Sequence, residues 1–121
     1  MKGEKMDREI KFRGRDIETG EWHYGDLLQY RVLPVIFDED CEQHEVSAET
    51  VGQYTGMYDK NGVEIYEGDI LRFDSPISKS FVIEWNDTNG AWTQFSPRNR
   101  ASVIGNIHEN PELLNGKGGE S

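Results

Sequence analysis

No stretch of eleven or more residues in this chain keeps the 3.6-residue apolar period of a helix, which excludes long helices at the outset. What recurs instead is a short alternating or apolar run closed by a turn signal. Ile10-Lys11-Phe12-Arg13-Gly14-Arg15 alternates apolar and basic residues, the period of a half-buried strand. Lys11, Arg13 and Arg15 are thereby expected on one face, opposite Ile10 and Phe12. Glu18-Thr19-Gly20-Glu21 reads as a turn, and Glu21-Trp22-His23-Tyr24 returns as a strand, so residues 10–24 predict an N-terminal hairpin. In Val32-Leu33-Pro34-Val35-Ile36-Phe37, Pro34 has no amide hydrogen and belongs at an edge or a strand start. Residues 50–58, 63–67, 69–73 and 102–107 predict further strands. Asp59-Lys60-Asn61-Gly62 predicts a turn with positive φ at Asn61 and Gly62. Residues 81–85 and 91–95, joined by Asn86-Asp87-Thr88-Asn89-Gly90, make the clearest hairpin. Only two short helical turns are expected. One spans 46–50 and is capped by Ser47; the other spans 110–114, with Asn110 at the cap and Pro111 at the first position.

The order of these pieces repeats. Gly25-Asp26-Leu27-Leu28, then Val35-Ile36-Phe37, then Val51-Gly52-Gln53-Tyr54 is echoed by Gly68-Asp69-Ile70-Leu71, then Val82-Ile83-Glu84-Trp85, then Ile104-Gly105-Asn106-Ile107. A duplication of residues 22–58 in 64–114 produces this order. So does ordinary turn chemistry, because Gly-Asp before a strand is common. Under duplication, neither half buries its apolar face alone, and the two pack into one barrel-like core. The Gly-Asp pairs are then structural, with the glycine turning the chain and the carboxylate capping amides. The fold expected is mainly β: a small barrel-like domain of two packed half-barrels with short helical turns. One domain spans 1–121, with an ordered core at 7–114 and a polar tail at 115–121.

Charge is uneven along this framework. The net charge is −10, from 13 basic and 23 acidic residues, yet residues 1–34 are balanced at seven of each. Residues 35–74 hold two basic and eleven acidic residues, or −9. The densest part is Asp38-Glu39-Asp40-Cys41-Glu42-Gln43-His44-Glu45. A self-repelling run of this kind reads first as a solvated loop. Its functional reading is a cation site, though without the glycine of a calcium loop, or a surface for a basic partner: Asp38, Glu39, Asp40, Glu42 and Glu45 would face a patch of Lys11, Arg13 and Arg15, with Arg98 and Arg100, on a neighbouring subunit. The acidic balance argues against general nucleic-acid binding, which places Lys and Arg on phosphates. Strand aromatics such as Trp85 and Trp92 keep a weak single-strand binder, or an acidic DNA mimic, as the alternative.

Candidates for chemistry are few. Cys41 lies three residues before His44, and a thiolate and imidazole so spaced could hold a metal, with Asp38 or Glu45 adding oxygen. The surrounding negative charge disfavours the thiolate that a nucleophile needs, and a lone cysteine reads first as a bystander. The chain has no phosphate-binding glycine loop or dinucleotide fingerprint. No catalytic residue or cofactor is therefore expected. A metal-dependent or hydrolytic enzyme is the remaining alternative. No apolar run approaches the roughly 20 residues of a spanning helix. Residues 1–7 lack the apolar core of a leader, so a cytoplasmic protein without a membrane partner is expected.

Thr50-Val51-Gly52-Gln53-Tyr54-Thr55-Gly56, followed by Asp59-Lys60-Asn61-Gly62 and Ile65-Tyr66-Glu67-Gly68-Asp69-Ile70, resembles the signature of the YopX family of phage and prophage proteins. Arg8-Glu9-Ile10-Lys11-Phe12-Arg13 and the stretch from Val103 to Leu114 match the same family, so the resemblance covers about residues 8–114. Residues 27–45 and 74–80 match least. The resemblance implies a mainly β fold, a phage or prophage origin and self-association; the expected cytoplasm is then that of the host cell. It implies no activity and assigns no site residue. The expected role is that of a non-enzymatic accessory protein that self-assembles or binds a phage or host protein.

Overall fold

The computed structural model describes residues 9–29, 32–73, 79–93 and 100–114. The polar tail, Arg98 and the loop after Phe73 lie outside the described residues. The chain divides into two compact units, residues 1–56 and 57–121.

In the first unit, β1 (Phe12–Arg15) and β2 (Trp22–Leu28) form the expected N-terminal hairpin. Asp16 closes its turn, accepting the Glu18 and Thr19 amides on Oδ1 at 2.8 and 3.1 Å. Next come β3 (Val35–Phe37) and β4 (Gln43–Glu45), so the acidic run is itself a hairpin. A 3₁₀ turn at Ala48–Thr50 leads into β5 (Gly52–Tyr58). Ser47 occupies the cap position, but its side chain makes no capping bond; its carbonyl accepts the Thr50 amide instead. The antiparallel order is β4-β3-β2-β1-β5.

This sheet curls. An isolated bridge joins Asp16, just past β1, to Val46, just past β4. Ile17 donates to the Glu45 carbonyl at 3.2 Å and Ser47 donates to the Arg15 carbonyl at 2.9 Å. Gly14 permits the approach. A Cβ there would stand 2.6 Å from a Val46 methyl, and Val46 is fully buried. The return of β4 to the end of β1 is barrel-like, while each sheet among the described residues stays open.

In the second unit, Met57 and Tyr58 end β5. The chain then turns at Asp59–Gly62 into β6 (Glu64–Tyr66). The turn rests on the carboxylate: Asp59 Oδ1 accepts the Asn61 and Val63 amides at 2.7 and 2.9 Å. Gly62 alone of its central pair takes positive φ, at 83°, so Asn61 does not adopt the mirror-image turn expected of Asn-Gly. A three-stranded sheet runs β11 (Ala101–Asn106), β7 (Asp69–Phe73), β8 (Ser80–Val82). The pairing of β11 with β7 shifts between Val103 and Gly105, where Ile104 is the extra residue of a bulge. Of the hairpin expected at 81–95, the described residues pair β9 (Trp85–Asn86) with β10 (Ala91–Trp92), and residues 94 and 95 lie outside them. This hairpin is separated from β8 because Ile83 leaves the ladder to bond Gly68 and Asp69. Ile65, Leu71, Ile83 and Ala101 form this unit's buried cluster, with Phe73, Phe81 and Val103 against it. The terminal turn is the 3₁₀ segment Pro111–Leu114.

The repeated motif takes two different forms. β2 and β7 each pair with the strand that follows in the motif, β3 and β8. The third element differs: β11 pairs directly with β7, whereas β5 pairs with β1. The carboxylates differ too. Asp69 is buried and accepts the Tyr66 amide at 2.7 Å, as a structural Gly-Asp requires, while Asp26 is exposed in mid-strand.

Candidate functional site

The curl of the first unit sets the place of its polar side chains. Along β2, His23, Gly25 and Leu27 are half-buried, while Tyr24, Asp26 and Leu28 are exposed. His23 is the register partner of Gly14 on β1. His44 lies opposite Ile36, two residues before Val46. The contact of Gly14 with Val46 thus brings the two histidines together. Their rings stack with centroids 3.5 Å apart and planes 10° from parallel.

Each ring is also tied to a carboxylate. His23 Nε2 lies 2.9 Å from Asp16 Oδ2, and His44 Nε2 lies 2.8 Å from Asp38 Oδ2. The Glu18 and Thr19 amides, with His23, hold the Asp16 carboxyl below the ordinary carboxylate value. His44, with the Glu42 and Asp40 amides, does the same for Asp38 against an opposing effect of burial. An ionised carboxylate only accepts, so each Nε2 carries the hydrogen, and a neutral ring keeps its lone pair on Nδ1. All four side chains are between 15 and 24% exposed.

Asp38 also organises the acidic run. Its Oδ1 accepts the Asp40 and Glu42 amides at 2.9 and 3.0 Å, and its backbone bonds Cys41 and Glu42. Glu39, Asp40, Cys41 and Glu42 are left exposed on a fixed loop, and Glu45 is exposed on β4. A cavity of about 520 Å³ opens beside this loop, lined by Lys11, Trp22, Tyr24, Asp38, Glu39 and Asp40 among others.

Two groups of metal-ligand residues have their donor atoms within 4.8 Å: Asp16, His23 and His44, and Asp38, Glu42 and His44. His44 belongs to both. Cys41 belongs to neither; it sits exposed at the loop tip with φ at 64°. The oxygen donor expected beside His44 is Asp38. Asp16 and His23 were not singled out by sequence as ligands. Their 7-residue spacing, and the 21 residues from His23 to His44, carry no motif, and only strand register joins them.

The basic residues of β1 do not form an exposed stripe. Arg13 is only 6% exposed, with its guanidinium 4.7 Å above the Trp22 ring, while Ile10 is 48% exposed. The alternation is present but its burial is reversed, because Trp22 shelters the arginine stem and charge. Arg15 Nε donates to the Gly20 carbonyl at 3.0 Å. Lys11 Nζ lies 3.6 Å from Glu9 and 5.5 Å from the centre of the Tyr54 ring. Lys11 does share the cavity with Asp38, Glu39 and Asp40, within one chain. In the second unit, Trp85 and Trp92 pack edge to face at 5.0 Å beside a polar cleft that includes Glu84 and Asp87.

Together these features define a mainly β protein with an acidic, histidine-bearing surface. The model of the YopX protein family matches residues 11–115, nearly the whole chain, and the chain belongs to that family. Its structure is similar to the crystal structure of protein EF1440 from Enterococcus faecalis. The two are 28% identical over 88% of this chain and 99% of that one, with a TM-score of 0.57. Comparison with curated proteins finds no match. No helix among the described residues is long and apolar enough to cross a membrane.

Proposed function

We propose that this protein is a phage- or prophage-derived accessory factor that works by binding another protein rather than by catalysis. The carrying observation is the loop between β3 and β4: Asp38 fixes it, while Glu39, Asp40 and Glu42 stay exposed beside a cleft containing Trp22 and Tyr24. Charges held in place on an ordered loop lose little entropy when a partner docks. A basic protein surface is the matching chemistry, phage or host in origin. Arg13 is committed to Trp22, which makes β1 of a second copy a poor source of that charge. Nucleic acid does not fit the acidic loop, and Glu84 and Asp87 beside Trp85 disfavour base stacking there.

The test is capture from prophage-induced cells with the intact protein and with a Glu39→Gln/Asp40→Asn/Glu42→Gln variant. A basic protein retained by the first at low salt, lost at high salt and lost with the variant supports the reading. Retention unaffected by the variant contradicts it. Self-association is a second reading, favoured by Tyr58 and Val63, which are 57 and 47% exposed around the Asp59–Gly62 turn. Light scattering at micromolar concentration gives more than 13.9 kDa if it holds and the monomer mass if it does not.

A further inference from the structure

We infer that Asp16, His23 and His44 form a binding site for a divalent transition-metal ion of the zinc type, with Asp38 as the residue that positions His44. Three observations converge. The donor atoms of the three residues already lie within 4.8 Å of one another. Two imidazoles and a carboxylate are the donor set that zinc and its neighbours prefer over calcium or magnesium, which seek oxygen alone. Two of the donors are also held in place before any ion arrives. Asp16 is fixed by the Glu18 and Thr19 amides, and Asp38 bonds His44 while it is itself fixed by two backbone amides; the His23 ring, stacked 3.5 Å from His44, has to turn out of the stack for both lone pairs to meet one ion. A carboxylate behind a ligating histidine sets its tautomer and orientation.

Zinc binds imidazole nitrogen and carboxylate oxygen at about 2.0–2.2 Å. An ion replacing the hydrogen between His23 Nε2 and Asp16 Oδ2, now 2.9 Å apart, needs that pair to open only slightly. The proton on His23 Nε2 passes to solvent while Nδ1 takes one up, so the ring stays a neutral ligand, and His44, whose Nε2 stays on Asp38, supplies the third donor through Nδ1. Glu42, grouped with Asp38 and His44, is exposed and lies outside this set. Cys41 takes no part, which separates this site from a Cys41/His44 pair.

Isothermal titration of the full chain with Zn²⁺ at neutral pH tests the site, alongside the Co²⁺ absorption spectrum. One equivalent is expected at micromolar or tighter affinity, with a Co²⁺ spectrum of nitrogen and oxygen ligation. His23→Gln and His44→Gln should each lose binding at least 100-fold. Asp38→Asn should weaken it about 10- to 100-fold. Cys41→Ser should leave it unchanged. Circular dichroism of each variant separates ligand loss from unfolding. If a histidine variant fails to fold, shifts of the His23 and His44 ring resonances on Zn²⁺ addition to the unaltered protein decide instead. Absence of stoichiometric binding, binding that survives both histidine changes, or loss with Cys41→Ser overturns the inference.

Discussion

Asp59 shows how one carboxylate can carry a local structure. Its Oδ1 holds the turn through Asn61 and Val63, and its Oδ2 reaches 44 residues along the chain to accept the Val103 amide at 2.9 Å. Burial pushes its pKa up, but the Val103, Val63 and Asn61 amides outweigh burial and hold it below the ordinary carboxylate value. A folded pKa below the unfolded one means stability that is complete above the ordinary carboxylate range. It is lost as pH falls through the depressed folded value. Asp59→Asn keeps one acceptor oxygen and turns an NH₂ toward a backbone N–H. It should therefore cost about 1–3 kcal/mol at neutral pH and flatten the fall in stability on acidification. Chemical denaturation at several pH values measures both effects. Leu71 is fully buried in the second unit's apolar cluster, and Leu71→Ala should cost about 2–5 kcal/mol in the same assay.

At the scale of elements, the hairpins follow from local chemistry, and the contacts between them do not. The β1–β2 hairpin, the terminal turn at Pro111 and the turn at Asp59 were legible because each is made by residues within a few positions of one another. The bridge of Asp16 to Val46 was not, because it joins positions 30 apart through the register of two hairpins. That register also made Gly14 and His23 partners and placed Arg13 on Trp22, which alternation alone assigned to solvent. The acidic run was legible as charge but not as a hairpin. Its order comes from Asp38 bonding two backbone amides and a histidine, which composition does not reveal. Two predictions belong here. Gly14→Ala drives a methyl into Val46 and should cost about 1–3 kcal/mol, seen as a lower thermal midpoint. Asp38→Ala should free the loop after β3, with faster amide exchange at Asp40 and Glu42 than at Asp16 and Ile17.

For the whole molecule, the densest acidic run and the histidine pair fall in the same unit. Nine of the ten net negative charges lie in residues 35–74, and their densest run ends at the strand that carries His44. Binding of a basic protein through that loop should weaken steeply as salt rises, since exposed charges are screened over about 10 Å at 0.1 M. The proposed cation site depends on one claim, that the sheet of the first unit curls until the strand after the acidic loop returns to the end of β1. Nuclear Overhauser contacts in the uniformly labelled protein test that claim directly. The account predicts cross-peaks between the His23 and His44 ring protons and between the Gly14 α-protons and the Val46 methyls. A folded protein that lacks both sets would contradict it.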